Sequence, residues 1–456
     1  MDARLWSMLG TRRVRDAIQP TRQFVLNIVA PIRGEARAPL DIVLDRIAAE
    51  TLQAMHGHRP NDALVDFGAV PNIHYARWVL IPGRGDHYQS PGGGSAPHGP
   101  DALALNAWYD GPEGQWAADE GHERQSLVGT LVAVARRAID ALYEHCLDYP
   151  RGATDAGVVG YLCARHRPAA ALYFGAPGRS RRQIVYEADL ARRVRLVIDS
   201  LRTEGPLPDA SAVRTRVLAE LGEAPAPFPP QHRAWASLVG RGLALVPLLP
   251  ALPLALLWLR VLETHDRAFD PVYSKSEREH VEITTHGENL FFENPLSNVV
   301  EVKDGWFRRQ LLKVVLFSVG TLGKDYFVRG RLGKIPSIHA AHWYLLDDGR
   351  RLAFVSNYDS SWESYLGDFI DQASSGLTAI WSNTSGYPRT RFLAFAGASA
   401  GDRFKAWSHH IQVRTRVWYS AYPSLSIVEI NDATLIRRGL ADERAVPPDQ
   451  WLARVT

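Results

Sequence analysis

The chain has 456 residues and a formal net charge of +3, with 52 Lys and Arg against 49 Asp and Glu. That balance, without a Lys/Arg stripe interleaved with aromatics, excludes a nucleic-acid partner, while 46% apolar residues suffice for a full globular core. Two cysteines, Cys146 and Cys163, exclude a disulfide framework or a Cys-based zinc site and fit a reducing compartment.

In chain order, residues 1–22 place Arg12, Arg13 and Arg15 beside Leu5, Trp6, Met8 and Leu9, a basic and amphipathic segment without a signal-peptide apolar run. A cytoplasmic location, peripheral on the cytosolic face of a membrane, is therefore expected. Residues 23–31 form a β-branched run ended by Pro31 and predict a strand. Apolar spacing from 39 to 55 predicts a helix; 73–81 and 102–109 predict strands, joined by a Gly/Pro/Ser-rich loop at 83–100. A long helix over 127–147, a strand over 169–176 and a helical tail over 181–201 complete the first unit. The order is β-α-β-β-α-β, the split βαβ unit.

The same order returns downstream. Strands are predicted at 296–302, 338–346, 351–358 and 415–421, and helices at 308–322, 362–381 and 426–440. An extra strand at 392–396 has no counterpart in the first unit. Matched motifs carry the repeat. Ile139 to Pro150 aligns without a gap on Leu377 to Pro388, and Val70 to Trp78 on Ile335 to Trp343. Tyr109-Asp110 matches Tyr358-Asp359, and Leu172 to Pro177 lies opposite Trp418 to Pro423. The chain thus divides into a segment 1–22, a repeat 23–203, a linker 204–290, a repeat 291–440 and a tail 441–456. The fold expected is α+β: two tandem ferredoxin-like (βαββαβ) repeats packed sheet to sheet as a pseudo-symmetric α/β barrel, with an apolar helical insertion between them. Each sheet buries one face under its helices, and the other face needs a second copy to cover it. Homo-oligomer formation stays open.

Within the linker, residues 242–259 contain no charge, and Arg241 and Arg260 bracket them. Pro247, Pro250 and Pro253 break any straight spanning helix there. One reading is a re-entrant or monotopic membrane anchor contacting lipid through Leu248, Leu252, Leu256 and Trp258; the other is an apolar strap packed across the fold. The apolar helix at 308–322 is expected to cover the far side of this insertion.

No high-specificity catalytic motif is present, so chemistry is sought at repeat-matched positions. His74 and His339 are equivalent: each is read as a buried histidine bonded to backbone or as a ligand. Strand alternation sets Arg77 and His342 on the opposite face, where the copies have diverged, and a site present once per chain should use diverged positions. Asp110 and Asp359 end the third strands, as caps of the next turn or helix or as acid groups. His409 and His410 end a helix before the last strand, with His166 near the matching place in the first repeat.

Two such units, with a histidine late in the second, resemble the dye-decolorising peroxidase and chlorite dismutase superfamily in element order. Ala107-Trp-Tyr-Asp110-Gly111 is similar to its Gly-x-x-Asp-Gly motif, with Ala in place of the first Gly. The resemblance implies a haem with His409, His410 or His339 as cofactor-binding residue and Arg77, Asp110 or His342 as catalytic groups. It implies no other metal. The function expected is a membrane-surface-associated protein with an apolar cavity, acting as a haem-dependent peroxidase or oxygenase on a hydrophobic small molecule. The alternative is a non-catalytic protein that binds a lipid-like ligand or a partner.

Overall fold

A computed structural model describes residues 21–83, 99–115, 119–222, 246–268, 291–325, 337–372, 374–397 and 400–456, with a few isolated positions between them. The basic segment at 1–20 and most of the 83–100 loop lie outside the described residues. The fold is α+β with antiparallel sheets.

The first half runs β1 (Gln23–Pro31), α1 (Arg37–Met55), β2 (Ile73–Ile81), β3 (Ala102–Asp110), α2 (Glu120–Tyr143), α3 (Asp155–Ala164), β4 (Ala169–Phe174) and α4 (Arg181–Glu204). Helices α5 (Ala210–Leu221) and α6 (Leu252–His265) lie between the halves. The second half runs β5 (Glu293–Glu301), α7 (Trp306–Asp325), β6 (Ile338–Leu346), β7 (Arg351–Asp359), α8 (Trp362–Gln372) and α9 (Ser374–Trp381). A small hairpin, β8 (Thr390–Arg391) and β9 (Phe395–Ala396), comes next. Helix α10 (Gly401–His410), β10 (Thr415–Ser420), α11 (Ile427–Ala441) and α12 (Pro448–Leu452) end the chain. Helices α3, α5 and α12 were not foreseen, because short helices lack a readable period.

The fourth strands do not stay at home. The sheets are ordered β1-β3-β2-β10 and β4-β6-β7-β5, so each half completes its sheet with the other half's last strand. Each crossing strand first touches its own half. Val29 N donates to Arg165 O and Arg167 N to Asn27 O, while Val299 N donates to Ile411 O and Val413 N to Ser297 O. Propensity is blind to such an exchange, because the residues pair as β whichever sheet receives them.

Matched motifs make matched contacts. After α2, Arg33 N donates to His145 O and Leu147 N to Pro31 O; after α9, Lys303 N donates to Asn383 O and Ser385 N to Glu301 O. The outer face of the first sheet (Leu26, Trp78, Leu103, Leu105) packs under Leu40 and Leu44 of α1 and Leu131 and Ile139 of α2. The outer face of the second places Phe354 against both Trp343 and Trp381. Tails α4 and α11 join through Leu190, Val194, Ala433 and Ile436, around a buried Arg437–Glu187 ion pair at 3.1 Å. Helix α7 packs on β4, and its Arg308 pairs with Asp266 at the end of α6.

Candidate functional site

Two regions stand out chemically: a buried polar band between the sheets and an outward-facing apolar helix.

Each half builds the same triad of contacts. His74 Nε2 donates to Asp110 Oδ1 at 2.8 Å, and His339 Nε2 to Asp359 Oδ1 at 2.6 Å. The second oxygen of each aspartate accepts an amide at a helix start: Arg181 N of α4 to Asp110 and Ile427 N of α11 to Asp359. A carboxylate there satisfies an orphan amide and meets the positive end of the helix dipole. The histidines are thus bonded to carboxylates, not to backbone. The aspartates do meet helix starts, but of helices about 70 residues downstream of each rather than the next ones.

The two pairs are joined by tyrosines. Tyr75 OH lies 3.1 Å from His339 Nδ1 and 3.0 Å from Tyr422 OH, which lies 2.7 Å from His74 Nδ1. Glu293 flanks this chain: Oε1 is 3.7 Å from His339 Nδ1, and Oε2 accepts from Ser420 Oγ. Burial pushes the Glu293 carboxyl up to about 7. Burial pulls His339 down, yet the charges of Glu293 and Asp359 leave it raised. Burial, and after it the charge of Glu293, holds Tyr75 well above the ordinary phenol range.

Deeper in, the diverged pair acts as two bolts. Arg77 reaches from the first sheet to Leu296 O, Ser297 Oγ, Ser356 O and Asn357 Oδ1 of the second. Burial lowers its pKa to about 9, which leaves it charged at neutral pH. His342 reaches back from the second sheet, its Nε2 donating to Asn27 Oδ1 at 2.6 Å and its ring standing edge-on to Trp108. Burial, then the charge of Arg77, keeps His342 neutral.

The residues named for haem do not line one space. His339 has both ring nitrogens engaged, and Asp110, Arg77 and His342 are bonded as above. His409 stacks on Trp362 with ring centroids 3.5 Å apart, on α10, whose Trp407 packs on Trp381. Helix α10 therefore lies on the helix-covered side of the second sheet, whereas Arg77 and His342 lie on its other side, in the space between the two sheets. His410 ends the same helix. An axial ligand from His409 or His410 and distal partners from Arg77 and His342 would have to come from opposite sides of one sheet, and His339 has both ring nitrogens bonded already, so this set does not fit haem. His166 bridges Ile28 as Gln412 bridges Asn298, so the counterpart of His166 is Gln412 and not the histidine pair. Among the described residues no cluster of His, Cys, Asp or Glu is arranged to hold a metal ion.

Sequence reasoning missed Tyr75, Tyr422 and Glu293. The rule that singled out Arg77 and His342 reaches them too: Tyr75 stands opposite Ala340, Tyr422 opposite Ala176, and Glu293 opposite Gln23.

The second region begins at a 3-10 turn, Val246–Ala251, and continues as α6. The prolines fall where they cost little, Pro250 inside that turn and Pro253 in the first turn of α6. Helix α6 is inverted. Leu254, Leu257 and Trp258 are 74%, 64% and 53% exposed and, with Val261, form one outward stripe at helical spacing. Leu259 and Glu263 face inward and are buried. Of the lipid contacts expected, Leu252 and Trp258 are exposed, Leu256 is half-buried and Leu248 lies outside the described side chains.

Anchors hold one end of α6. Glu263 accepts from Thr390 Oγ1, Phe392 N and Leu393 N, and Asp266 pairs with Lys303 and Arg308. The stretch predicted as one strand at 392–396 is instead the tip of the β8–β9 hairpin. Phe392 and Leu393 sit there at φ of 50° and 65°, and Phe392 and Phe395 are exposed. Such left-handed backbone on bulky residues is strained and persists only where its surroundings hold it. Glu263 supplies that hold.

Comparison with protein-family models, with curated proteins and with solved structures finds no match to this chain. Among the described residues no helix is long and apolar enough to cross a membrane.

Proposed function

We propose that this chain is a peripheral membrane-surface protein that docks through the outward stripe of α6 and the aromatic tip of the β8–β9 hairpin. The two halves serve as its body, a pair of ferredoxin-like repeats closed into a pseudo-symmetric α/β barrel by their exchanged last strands. The observation that carries the reading is the inverted helix: its polar anchors face the protein and its apolar stripe faces out. Phe392, Phe395 and Trp258 suit the interfacial zone, where large rings bury against acyl chains. Exposed Arg267, Arg389 and Arg391 stand beside them and match anionic headgroups. At about 25 cal/mol per Å² of apolar surface, burying a few hundred Å² is enough for reversible docking. A haem enzyme is not part of this reading, since His409 and His410 lie across the second sheet from Arg77 and His342, and His339 has both ring nitrogens engaged.

Flotation of the purified chain with phosphatidylcholine/phosphatidylserine vesicles tests it. Wild type should float, and Leu254→Asp with Leu257→Asp should stay at the bottom with an unchanged circular dichroism spectrum. If wild type does not float, or the double variant floats equally, the reading is wrong. A protein partner, and not lipid, would then be the occupant to seek.

A further inference from the structure

The chain of contacts from Asp110 to Asp359 fixes its own proton count. Each Nε2 lies within hydrogen-bond distance of an aspartate oxygen, at 2.8 and 2.6 Å, and with a carboxylate as acceptor each ring donates its Nε2 hydrogen there. Between the two Nδ1 atoms lie three successive contacts, of 2.7, 3.0 and 3.1 Å, through Tyr422 and Tyr75. Each contact needs one hydrogen, and two hydroxyls supply two. The third must sit on one Nδ1. With no such proton, two oxygens or an oxygen and a nitrogen meet with nothing between them. With two, four hydrogens crowd three contacts and one hydroxyl loses its acceptor. Both alternatives bury an unsatisfied polar group.

We propose that His74 and His339 share a single proton through the Tyr422–Tyr75 pair, with His339 its resting place, so that bound proton closes the seam between the two halves. Transfer is balanced: His339 Nδ1–H passes to Tyr75, the Tyr75 hydrogen to Tyr422, and the Tyr422 hydrogen to His74 Nδ1. No net charge enters or leaves. His339 is the resting place because Glu293 lies 3.7 Å from its Nδ1. The matching position beside His74 is Gln23, which donates to Ala176 O and Arg179 O and carries no charge.

The groups around the chain agree. From β2 come His74, Tyr75 and Arg77, from β3 Asp110, from β5 Glu293, from β6 His339, from β7 Asp359, and beyond β10 Tyr422. The Arg179 guanidinium, ahead of α4, is bonded to Ile430 O, Thr434 and Asn431, and its charge lies on the Tyr422 side. Arg181 of α4 meets Asp110 through its amide and sends its guanidinium to Val70 O. A positive charge near Tyr422 disfavours a proton on His74, and a negative charge near His339 favours one there.

The test is side-chain nitrogen NMR of the whole chain labelled with ¹⁵N-histidine, from mildly acidic to mildly alkaline pH. At neutral pH His339 should show the doubly protonated ring and His74 the neutral Nε2–H tautomer. Both rings should respond at one shared midpoint, as coupled sites do. Tyr75→Phe removes two of the three contacts and should abolish the response of His74 at that midpoint; Tyr422→Phe does the same if the first variant fails to fold. Two neutral rings, two charged rings, or independent midpoints in wild type would overturn the proposal without any variant. So would coupling that survives loss of either hydroxyl.

Discussion

Glu263 Oε2 accepts the amide hydrogen of Phe392 at 2.9 Å, tying the buried side of an apolar helix to a strained aromatic turn. Sequence places these residues 129 positions apart. The bond explains why a carboxylate sits fully buried on this helix, since three donors of the hairpin converge on it. It also makes the helix and the hairpin one surface.

Glu263→Gln should therefore loosen the hairpin. The amide keeps one acceptor oxygen but turns a donor toward Phe392 N or Leu393 N, leaving a buried N–H without a partner at a cost of ~1–3 kcal/mol. Hydrogen exchange at Phe392 and Leu393 should speed up about tenfold or more. Exchange in β5–β7 should stay unchanged, and vesicle binding should weaken. Unaltered exchange at both amides would mean that the turn holds itself.

Arg77 is the residue on which the two sheets most depend. Arg77→Met keeps the volume but abandons the carbonyls of Leu296 and Ser356, each at ~1–3 kcal/mol if left unsatisfied, while Ser297 Oγ and Asn357 Oδ1 lose one partner and keep Thr415 and Trp418. Arg77→Lys should recover little, because a point ammonium cannot serve four acceptors spread over a planar fork. Thermal unfolding of the three proteins checks the order: wild type highest, with Lys and Met both well below.

The sequence makes the repeat, most strands and the paired tails legible, because β-branched runs and Tyr-Pro turns are local signals. Pairing is not local. The exchange of β4 and β10 rests on which edge each strand meets after leaving its own half. His74 and Asp110 are both visible as matched residues, but their bond depends on a bulge that brings His74 against the end of β3. The hairpin at 390–396 reads as a strand because Phe-Leu-Ala-Phe has strand composition; a carboxylate far upstream bends it into a turn. Element order also cannot tell the two faces of one sheet apart, and so could not show that His409 and His410 lie across the second sheet from Arg77 and His342.

Stability should fall as pH rises, with a sign set by two groups. Glu293 has a folded pKa raised from 4.5 to about 7, so the folded state binds more protons than the unfolded one between those values. Stability is therefore lost on going up through that window. His339 is raised above 6.5, so its contribution is complete below that value and is lost as pH passes the higher folded one. Both slopes point the same way. Glu293→Gln removes the first and weakens the second, and its midpoint in urea should vary less with pH than that of wild type. A wild-type midpoint that climbs from pH 4.5 to beyond 7 relative to the variant would contradict both signs.

Charge beside the apolar stripe should show as dependence on lipid and salt. Arg391 pairs across the hairpin with Phe395, so a ring held in the interface keeps the guanidinium at headgroup depth. Arg267 is exposed and follows directly on Asp266, the anchor of this end of α6. A basic residue near an anionic surface contributes about 1 kcal/mol. Arg267→Gln and Arg391→Gln should each weaken partition onto phosphatidylserine-containing vesicles by about fivefold at moderate salt and hardly at all at high salt. Binding to pure phosphatidylcholine should be weaker and insensitive to both changes, since only the apolar stripe acts there. Equal partition of wild type onto the two vesicle types would leave Leu254, Leu257 and Trp258 as the docking surface and remove the arginines from it.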